Sequence, residues 1–316
     1  MADTFVSTNY NGNLNEFVYK VMGLGAETAE KGGYHLIPDV AYKEEIDRLE
    51  TTENPFTDYT DDTPTTGATA TTLKKRDLTP SKFTVWGQIT PSVWLSIWKK
   101  WRAVGTLTQL NANPSFLAEV FSLEKNAATR QLDLLFWQGD TTAGAASPLR
   151  FFDGIEKLID ADSDSDVQAV SNLGLITSAN IYNILEACHA KIPKYLRKDP
   201  NFKFKMNYNT WDIAQNAELD VKKTTVGVLD QGERMKYRGI EIEPYSNMSD
   251  NRIIGVTTSN AESSNFVLGM LASFDSEISG MKVEKKDLSN TTRYRFDGMA
   301  GVQYRYGGHI VSYLGS

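Results

Sequence analysis

The chain has 316 residues, of which 41% are hydrophobic and 11% aromatic, so it can bury a core and is not disordered as a whole. Its net charge of −7 and isoelectric point of about 5.2 leave no region basic enough to bind nucleic acid by charge alone. The single cysteine, Cys188, excludes a framework of intrachain disulfides. No stretch reaches the length of a membrane span, and the first 25 residues lack the pattern of a signal peptide.

The first 50 residues have weak periodicity and several glycines, with short helices predicted at residues 13–24 and 40–49. We interpret this region as an extended arm that packs on another surface. Residues 51–72 contain ten threonines and little apolar surface, so this segment cannot fold alone. Two interpretations stay open: a long two-stranded excursion that returns through residues 73–89, or a disordered surface loop.

A short helix is predicted from residue 90 to about residue 103. Trp94, Trp98 and Trp101 fall on one face of it, with basic residues elsewhere on the helix. Tryptophans among basic residues could bind single-stranded nucleic acid or a membrane surface. We favour a core or subunit contact, because clusters of tryptophan mark cores and interfaces far more often.

The longest uninterrupted helical pattern covers residues 113–139. Asn113 is a good N-cap, Pro114 suits the first helical position, and Gly139 is predicted to end the helix in a left-handed conformation. Apolar residues return at helical spacing over a surface too broad for one small core. We therefore expect this helix to contact a sheet of its own chain and also another copy of the protein.

From residue 150 onward, helical and strand patterns alternate. A helix is predicted from Thr177 to Pro193, and another from Asn209 to about Glu218. Strands are predicted at residues 202–206, 240–243, 252–257 and 266–271, followed by a polar strand-like run at 277–296 and a final strand at 301–314.

The motifs of the common enzyme and metal sites are missing from the sequence, so no catalytic residue, cofactor or metal site is predicted. The alternating acids Asp160, Asp162, Asp164 and Asp166 are similar to a calcium loop. The required glycine and glutamate positions are occupied by Ser165 and Ser171, however. We interpret this segment as a solvated acidic loop.

A basic stretch lies further along the chain, and a solvated positive face is the simplest interpretation of it. Its members are Lys191, Lys194, Arg197, Lys198, Lys203 and Lys205. A sharper hypothesis is that the acidic loop of one copy contacts the basic stretch of the next copy around a ring, because complementary charges set register and steer association.

The order of these elements, rather than any one motif, resembles a known family. The motifs that carry the resemblance are LLFWQGD at 134–140, DGI at 153–155, MNYNTW at 206–211, YRGI at 237–240 and GVQY at 301–304. Together with the arm and the threonine-rich excursion, the chain resembles a tailed-bacteriophage major capsid protein of the Hong Kong 97-type fold, over nearly its whole length.

The resemblance implies an α+β capsid fold with five parts. Residues 1–50 would form the N-terminal arm and residues 51–89 an extended β-hairpin loop lying across the adjacent subunit. Residues 90–149 and 268–298 would form a peripheral domain built on the long spine helix, with Lys282 and Lys285 near a three-fold contact. Residues 150–267 and 299–316 would form an axial domain with a central sheet.

Two features of the family bear on particular residues. Some members form covalent cross-links from a lysine of the extended loop, and Lys74 and Lys75 occupy that territory, although two solvated lysines are the simpler interpretation. Some members also carry a scaffolding segment ahead of the arm. The arm begins too early here to leave room for one, so a separate scaffolding protein is expected.

The function implied by the resemblance is a structural one, without catalysis. The chain would assemble into pentamers and hexamers of an icosahedral shell that encloses phage DNA with little specific binding, in the virion after assembly in the host cytoplasm. Its partners would be itself, a scaffolding protein, a portal and decoration proteins, with no membrane. The alternatives are an encapsulin-type nanocompartment shell and a soluble α/β enzyme.

Overall fold

The computed structural model describes residues 7–10, 25–50, 72–89, 114–162, 166–223, 235–258, 264–271, 281–286 and 291–316. The helices predicted at residues 13–24 and 90–103 lie outside these ranges, as do Trp94, Trp98 and Asp164. The described helices are α1 (Glu27–Glu30), α2 (Pro114–Gln138), α3 (Ile155–Asp160), α4 (Ile181–Lys191) and α5 (Tyr208–Lys223). The described strands are β1 (Ser7–Tyr10), β2 (His35–Pro38), β3 (Glu44–Glu50), β4 (Thr72–Leu78), β5 (Ser81–Ile89), β6 (Gln168–Ala169), β7 (Phe202–Asn207), β8 (Lys236–Tyr237), β9 (Ile240–Tyr245), β10 (Arg252–Thr257), β11 (Phe266–Leu271), β12 (Met281–Lys286), β13 (Thr291–Tyr304) and β14 (Val311–Leu314).

The first sheet is organised around β13. The strand order is β1-β12-β13-β11-β2, and β5 pairs with the other edge of β13. The length of β13 allows its first part to pair with β12 and its last part with β11. The predicted polar run at 277–296 therefore contains two antiparallel strands, β12 and the start of β13. The C-terminal half of α2 covers this sheet, because one buried cluster joins Leu132, Leu135 and Phe136 to Phe266, Leu268 and Val302.

The prediction of a long helix is confirmed, since α2 begins at Pro114 and ends at Gln138. The left-handed stop predicted at Gly139 is wrong, because the positive-φ glycines of the described residues are Gly32, Gly174 and Gly239. Gly139 is instead a point of close backbone approach. Its carbonyl accepts the Gly154 N–H at 2.8 Å, and a Cβ there would lie 2.6 Å from the Leu135 carbonyl oxygen. A side chain would therefore separate the end of α2 from the start of α3.

The second sheet is mixed and has the order β6-β14-β10-β7-β9-β8. β7 runs parallel to β9 and antiparallel to β10. Helices α4 and α5 pack on it through a buried cluster that includes Ile181, Ile184, Leu185, Cys188, Ala214, Phe204, Ile242 and Ile253. The strands predicted at 202–206, 240–243 and 252–257 all belong to this sheet, whereas the one predicted at 266–271 is β11 of the first sheet. The α+β class is confirmed.

The predicted helix from Thr177 starts later, at Ile181. The N–H and hydroxyl of Thr177 both donate to the Asn180 side-chain oxygen, at 2.8 and 3.1 Å. Thr177 thus belongs to a turn that precedes the helix.

A two-stranded antiparallel ribbon, β3 with β4, forms a small sheet of its own. The helix predicted at residues 40–49 is wrong: buried Ile46 lies between exposed Glu45 and Asp47, which is the period of a strand. The predicted returning segment, residues 73–89, contains two strands with different partners. β4 completes the ribbon, and β5 joins β13 of the first sheet.

The single strand predicted at residues 301–314 is also wrong. β13 ends at Tyr304, a 3-10 turn covers Gly307–His309, and β14 then enters the second sheet. The alternation of Val302, Tyr304 and Tyr306 continues past the end of β13. The Gly307-Gly308 pair nevertheless indicates a turn from the sequence, and this turn carries the chain from one sheet to the other.

Candidate functional site

No group of histidine, cysteine, aspartate or glutamate among the described residues could hold a metal ion. The described helices include none with the length and apolar character needed to cross a membrane. Two members of the predicted acidic loop bind arginines of the same chain, Asp160 to Arg252 at 2.6 Å and Asp162 to Arg76 at 3.0 Å. The interpretation as a solvated loop is therefore wrong for Asp162, whose side chain is only 5% exposed.

The ribbon is fixed at its base by apolar contacts on one face. Ile46 and Leu78 are buried there with Val40 and with Val267 of β11. Gly269, also on β11, leaves room for this contact, because a Cβ at that position would collide with Leu78 and lie 3.2 Å from Val40. The base of the ribbon therefore rests on the first sheet.

Arg76 forms a second anchor on the same face of the ribbon. Its guanidinium donates to the Tyr304 hydroxyl and to Asp162 Oδ1, both at 3.0 Å, and lies 4.2 Å above the Tyr304 ring. The Tyr304 hydroxyl donates to the same Asp162 oxygen at 2.8 Å. Burial disfavours the Asp162 anion, but hydrogen bonds from the Val167 N–H, Tyr304 and Arg76 lower its pKa. We call Arg76, Tyr304 and Asp162 the ribbon clamp.

The opposite face of the ribbon carries exposed ion pairs. Lys75 binds Glu45 on the partner strand, and Lys43 binds Asp77 at 2.8 Å. Exposed pairs of this kind add little stability. Lys74, on the clamp face, lies 3.9 Å from Asp166. Both lysines predicted as contact candidates in the extended loop, Lys74 and Lys75, are thus in ion pairs within the chain.

An apolar groove with a volume of about 340 Å³ lies between β5 and the C-terminal half of α2. It is lined by Phe83, Thr84, Val85, Trp86, Ala127, Ala128, Gln131, Leu132, Leu135, Phe151 and Phe152. The Trp86 side chain forms part of its rim and is 57% exposed. An open apolar concavity with an exposed aromatic rim is typical of a docking surface.

The basic stretch is smaller than the sequence indicated. Lys194 and Lys198 are exposed. Arg197 instead donates to the carbonyls of Ala190 and Ile192, at 3.0 and 3.1 Å, and so satisfies groups at the end of α4. The positive face at this end of the second sheet therefore rests on its exposed lysines.

Lys203 and Lys205 do not belong to a solvated face. Lys203 binds Glu241 at 3.3 Å and also Glu243, while Lys205 is fully buried and donates to the Tyr245 hydroxyl at 2.5 Å. Burial, together with the nearby Lys203 charge, lowers the pKa of Lys205 to about 8 against the attraction of Glu243. A period of two along β7 places these lysines on one face, but the sequence did not show that this face is covered.

The acidic loop and the basic stretch lie beside the same turn, Gly307–His309. The Tyr195 ring, next to Lys194, is 5.7 Å from the His309 ring. A Cβ on Gly307 would lie 2.7 Å from the Cβ of Asp166. The pairing of these two charged segments between copies stays a prediction.

Three carboxylates from different helices bind one loop, residues 246–250, after β9. Glu27 of α1 accepts the Ser246 N–H at 3.1 Å, Asp133 of α2 accepts from Asn247 at 2.7 Å, and Glu156 of α3 accepts the Ser249 N–H at 2.9 Å. Burial raises the pKa values of Asp133 and Glu156 despite these hydrogen bonds. The loop therefore joins the second sheet to all three helices.

The remaining predicted contact residues lie on β12 or outside the described residues. Lys282 and Lys285 lie on β12, with backbones opposite Arg295 and Thr292 of β13. Trp94, Trp98 and Asp164 lie outside the described residues. Sequence reasoning missed the ribbon clamp and the loop anchored by carboxylates. For the loop anchored by carboxylates, the one signal in the sequence was Asp133, a charged residue within the apolar pattern of α2.

No family model and no curated protein matches the chain. Among solved structures, it is similar to a chain of the satellite phage P4 procapsid that includes the size determination (Sid) protein, with a TM-score of 0.61 and 9% identity, covering 97% of this chain and 92% of that one. It is also similar to the capsid of Myoviridae phage XM1, with a TM-score of 0.55 and 13% identity, covering 92% of both chains. The capsid of an empty GTA particle matches with a TM-score of 0.55 and 11% identity, covering 100% of this chain and 94% of that one.

Identities this low show the fold alone. At that level, the chain shares its fold with chains of phage and GTA capsid structures. The resemblance to phage capsid proteins that the sequence indicated is confirmed as a likeness of fold over nearly the whole chain.

Proposed function

We propose that this chain is a major capsid protein that self-assembles into an icosahedral shell around phage double-stranded DNA. The observation that carries the proposal is the likeness to chains of phage capsids across at least 92% of this chain and of theirs. In such a shell the function is to form interfaces rather than to turn over a substrate. Each subunit is held by several neighbours at once, so loss of one requires several contacts to break together.

The ribbon and the groove support this proposal from the structure itself. A two-stranded ribbon is marginal in water by itself, so the part of this ribbon beyond its contacts with the first sheet gains stability on a further surface. The groove between β5 and α2 is apolar and open, with Trp86 exposed at its rim. We propose that the extended loop of one copy docks against this part of the next, so that each copy completes its neighbour.

We retain the remaining assignments as parts of the same proposal. α2 would be the spine helix of a Hong Kong 97-type fold, residues 1–50 the arm and residues 51–89 the extended loop. Residues 90–149 and 268–298 would form the peripheral domain, and residues 150–267 and 299–316 the axial domain that surrounds five-fold and six-fold axes. The ribbon spans the proposed boundary between arm and extended loop, because its first strand is Glu44–Glu50 and its second is Thr72–Leu78.

The proposed partners are other copies of the chain in pentamers and hexamers, a separate scaffolding protein, a portal and decoration proteins. Assembly would occur in the host cytoplasm and the product would be the virion shell. The net charge of −7 would limit adhesion of DNA to the inner wall. The encapsulin-type shell is not favoured, because the similar structures named above come from phage and GTA particles.

Electron microscopy of the purified full-length chain, produced with and without its phage's scaffolding protein, tests the proposal. We expect closed shells in at least one of the two preparations. A chain that stays monomeric at high concentration in both preparations would refute it.

A pair of variants on one helix tests the groove. Ala127 is exposed and lines the groove, whereas its exposed neighbour Asn126 does not. We expect Ala127→Trp to fill the groove and reduce shell formation, while Asn126→Trp leaves assembly unchanged. Circular dichroism of both variants controls for folding. Equal yields of shells from the two would show that the groove is not used.

A further inference from the structure

We propose that the ribbon clamp fixes the direction in which the ribbon leaves the subunit, and that Arg76 is the residue that positions the ribbon for a second copy of this chain. The first half of this inference concerns the subunit by itself. The second half rests on the proposed function.

The clamp adds a fixed geometry to the contacts at the base of the ribbon. There Leu78 packs on β11, and Ile46 is buried opposite Arg76 in the ladder. The Gln303 side chain also donates to the Asp77 carbonyl at 2.9 Å. Arg76 lies two residues beyond Leu78 on the same face, about 7 Å along the strand. A planar guanidinium fixes geometry through its fork of donors, so the clamp opposes a pivot of the ribbon about Leu78.

The partners of Arg76 come from different parts of the molecule. Tyr304 is the last residue of β13 in the first sheet. Asp162 follows α3, and its second oxygen accepts the Val167 N–H at 2.9 Å, just before β6 of the second sheet. The side chains of Arg76 and Asp162 are only 11% and 5% exposed, so water screens their attraction weakly. The clamp therefore connects the ribbon to both sheets.

A small rotation at the base of the ribbon produces a large displacement of its far end. A seven-residue strand spans about 23 Å, so a rotation of about 10° moves its far end by about 4 Å. A shift of that size would take a docked segment out of contact with its receptor surface, because apolar contacts need heavy atoms within about 4.5 Å.

A neighbouring lysine on the ribbon provides the control for a substitution of Arg76. Lys75 is adjacent to Arg76 on the same strand and is also a cation in an ion pair, but its side chain is on the exposed face and 48% accessible. Arg76→Met and Lys75→Met remove the same charge from neighbouring positions. Only the first breaks the clamp.

The direction of the ribbon can be measured as a distance between spin labels in the unassembled protein. Labels would be placed at Asp47→Cys on the ribbon and Asp212→Cys on α5, both exposed sites. The native Cys188 is buried and its burial raises the pKa of the thiol to about 12, so it does not compete for label. We expect a narrow distribution for the parent and Lys75→Met, and a broader, shifted one for Arg76→Met. Arg76→Lys should be intermediate, because lysine keeps the charge without the fork.

Particle size measured by electron microscopy is the second readout. We expect Arg76→Met to give fewer shells or shells of mixed diameter, and Lys75→Met to match the parent. If Arg76→Met does not fold, Asp162→Asn and Arg76→Lys provide the same comparison. Unchanged distance distributions and unchanged shells in the clamp variants would overturn the inference. A parent chain that forms no shells would instead refute the proposed function, and the distances would still decide whether the clamp holds the ribbon.

Discussion

Asp133 is a carboxylate buried within the helix that covers the first sheet, and its two oxygens hold different segments. One accepts the Thr28 N–H at 3.2 Å and the other accepts from Asn247 at 2.7 Å. Trp137, one turn further along α2, donates to the Thr28 hydroxyl at 2.8 Å. Polar residues on the buried side of α2 therefore bind α1 and the loop after β9 to the core.

Removing this carboxylate should destabilise the subunit. Asp133→Ala leaves the Thr28 N–H and the Asn247 amide without their acceptor, so we expect a loss of about 1–3 kcal/mol in the free energy of unfolding. Urea denaturation of the unassembled protein measures the change. Asp212→Ala, at an exposed position of α5, should stay within about 0.5 kcal/mol of the parent. Equal effects from the two variants would mean that Asp133 is not an anchor.

Lys205 should make stability depend on pH in a definite direction. Burial lowers its pKa to about 8 in the folded state, against 10.5 in the unfolded chain. Between pH 8 and pH 10 the unfolded state therefore binds more protons at this lysine, which raises the free energy of unfolding by up to about 1.4 kcal/mol per pH unit. The raised pKa values of Cys188 and Tyr245 act in the opposite direction, from about pH 9 and about pH 10, because the unfolded thiol and phenol lose their protons first.

Lys205→Met should flatten this rise, because methionine fills similar space without a charge and Glu243 keeps its ion pair with Lys203. The measurement is the urea midpoint of both proteins at pH 8 and pH 9.5. Parallel curves for the parent and the variant would show that Lys205 is not the group responsible.

At the scale of elements, the junction between α2 and α3 depends on close backbone contact at Gly139. We expect Gly139→Ala to cost about 1–3 kcal/mol, because the added Cβ overlaps the Phe152 and Leu135 carbonyls. Gly144→Ala is the matched control, since nothing lies within 4 Å of a Cβ there and its φ is not positive. Thermal unfolding of the two variants should separate them by several degrees. Equal midpoints would show that the junction relaxes freely.

The elements that the sequence predicted correctly carry a strong apolar pattern of their own. α2 has apolar residues at helical spacing, and β10 and β11 are short, mostly apolar runs in which five consecutive residues are buried. The failures occurred where the partner of a segment is remote. Residues 40–49 contain enough helix-forming residues to suggest a helix, but pairing with β4 decides that Glu44–Glu50 is a strand. The break between β13 and β14 depends on which sheet each strand joins. The alternation of apolar residues along the chain gives no information about that choice.

The candidate site was predictable in outline only. The threonine-rich segment and the surplus apolar surface of α2 indicated that the chain needs neighbours, and the groove lies on that helix. The clamp was not predictable, because Arg76, Asp162 and Tyr304 are far apart in sequence and meet only in the fold. The same limit applies to two residues assigned to the solvated basic stretch. Lys203 and Lys205 are ion-paired or buried on β7 through contacts with residues that are distant in sequence.

At the scale of the whole molecule, the proposed ring contact between charged segments can be tested without disturbing the fold. Lys194→Glu with Lys198→Glu reverses two exposed charges and spares Arg197, which binds the end of α4. If the acidic loop of one copy contacts these lysines in the next, assembly should slow, most strongly at low salt. Lys236→Glu, at an exposed position on β8, is the control. Light-scattering curves that coincide for all three proteins would exclude this pairing.

The central claim is that the subunit is completed by its neighbours, and a cryo-electron microscopy reconstruction of particles formed by the full chain tests it most directly. We expect a closed shell in which the extended loop of each copy crosses the subunit boundary and contacts the groove between β5 and α2 of the next. A shell with this groove empty, or a chain that stays monomeric at high concentration, would contradict the account.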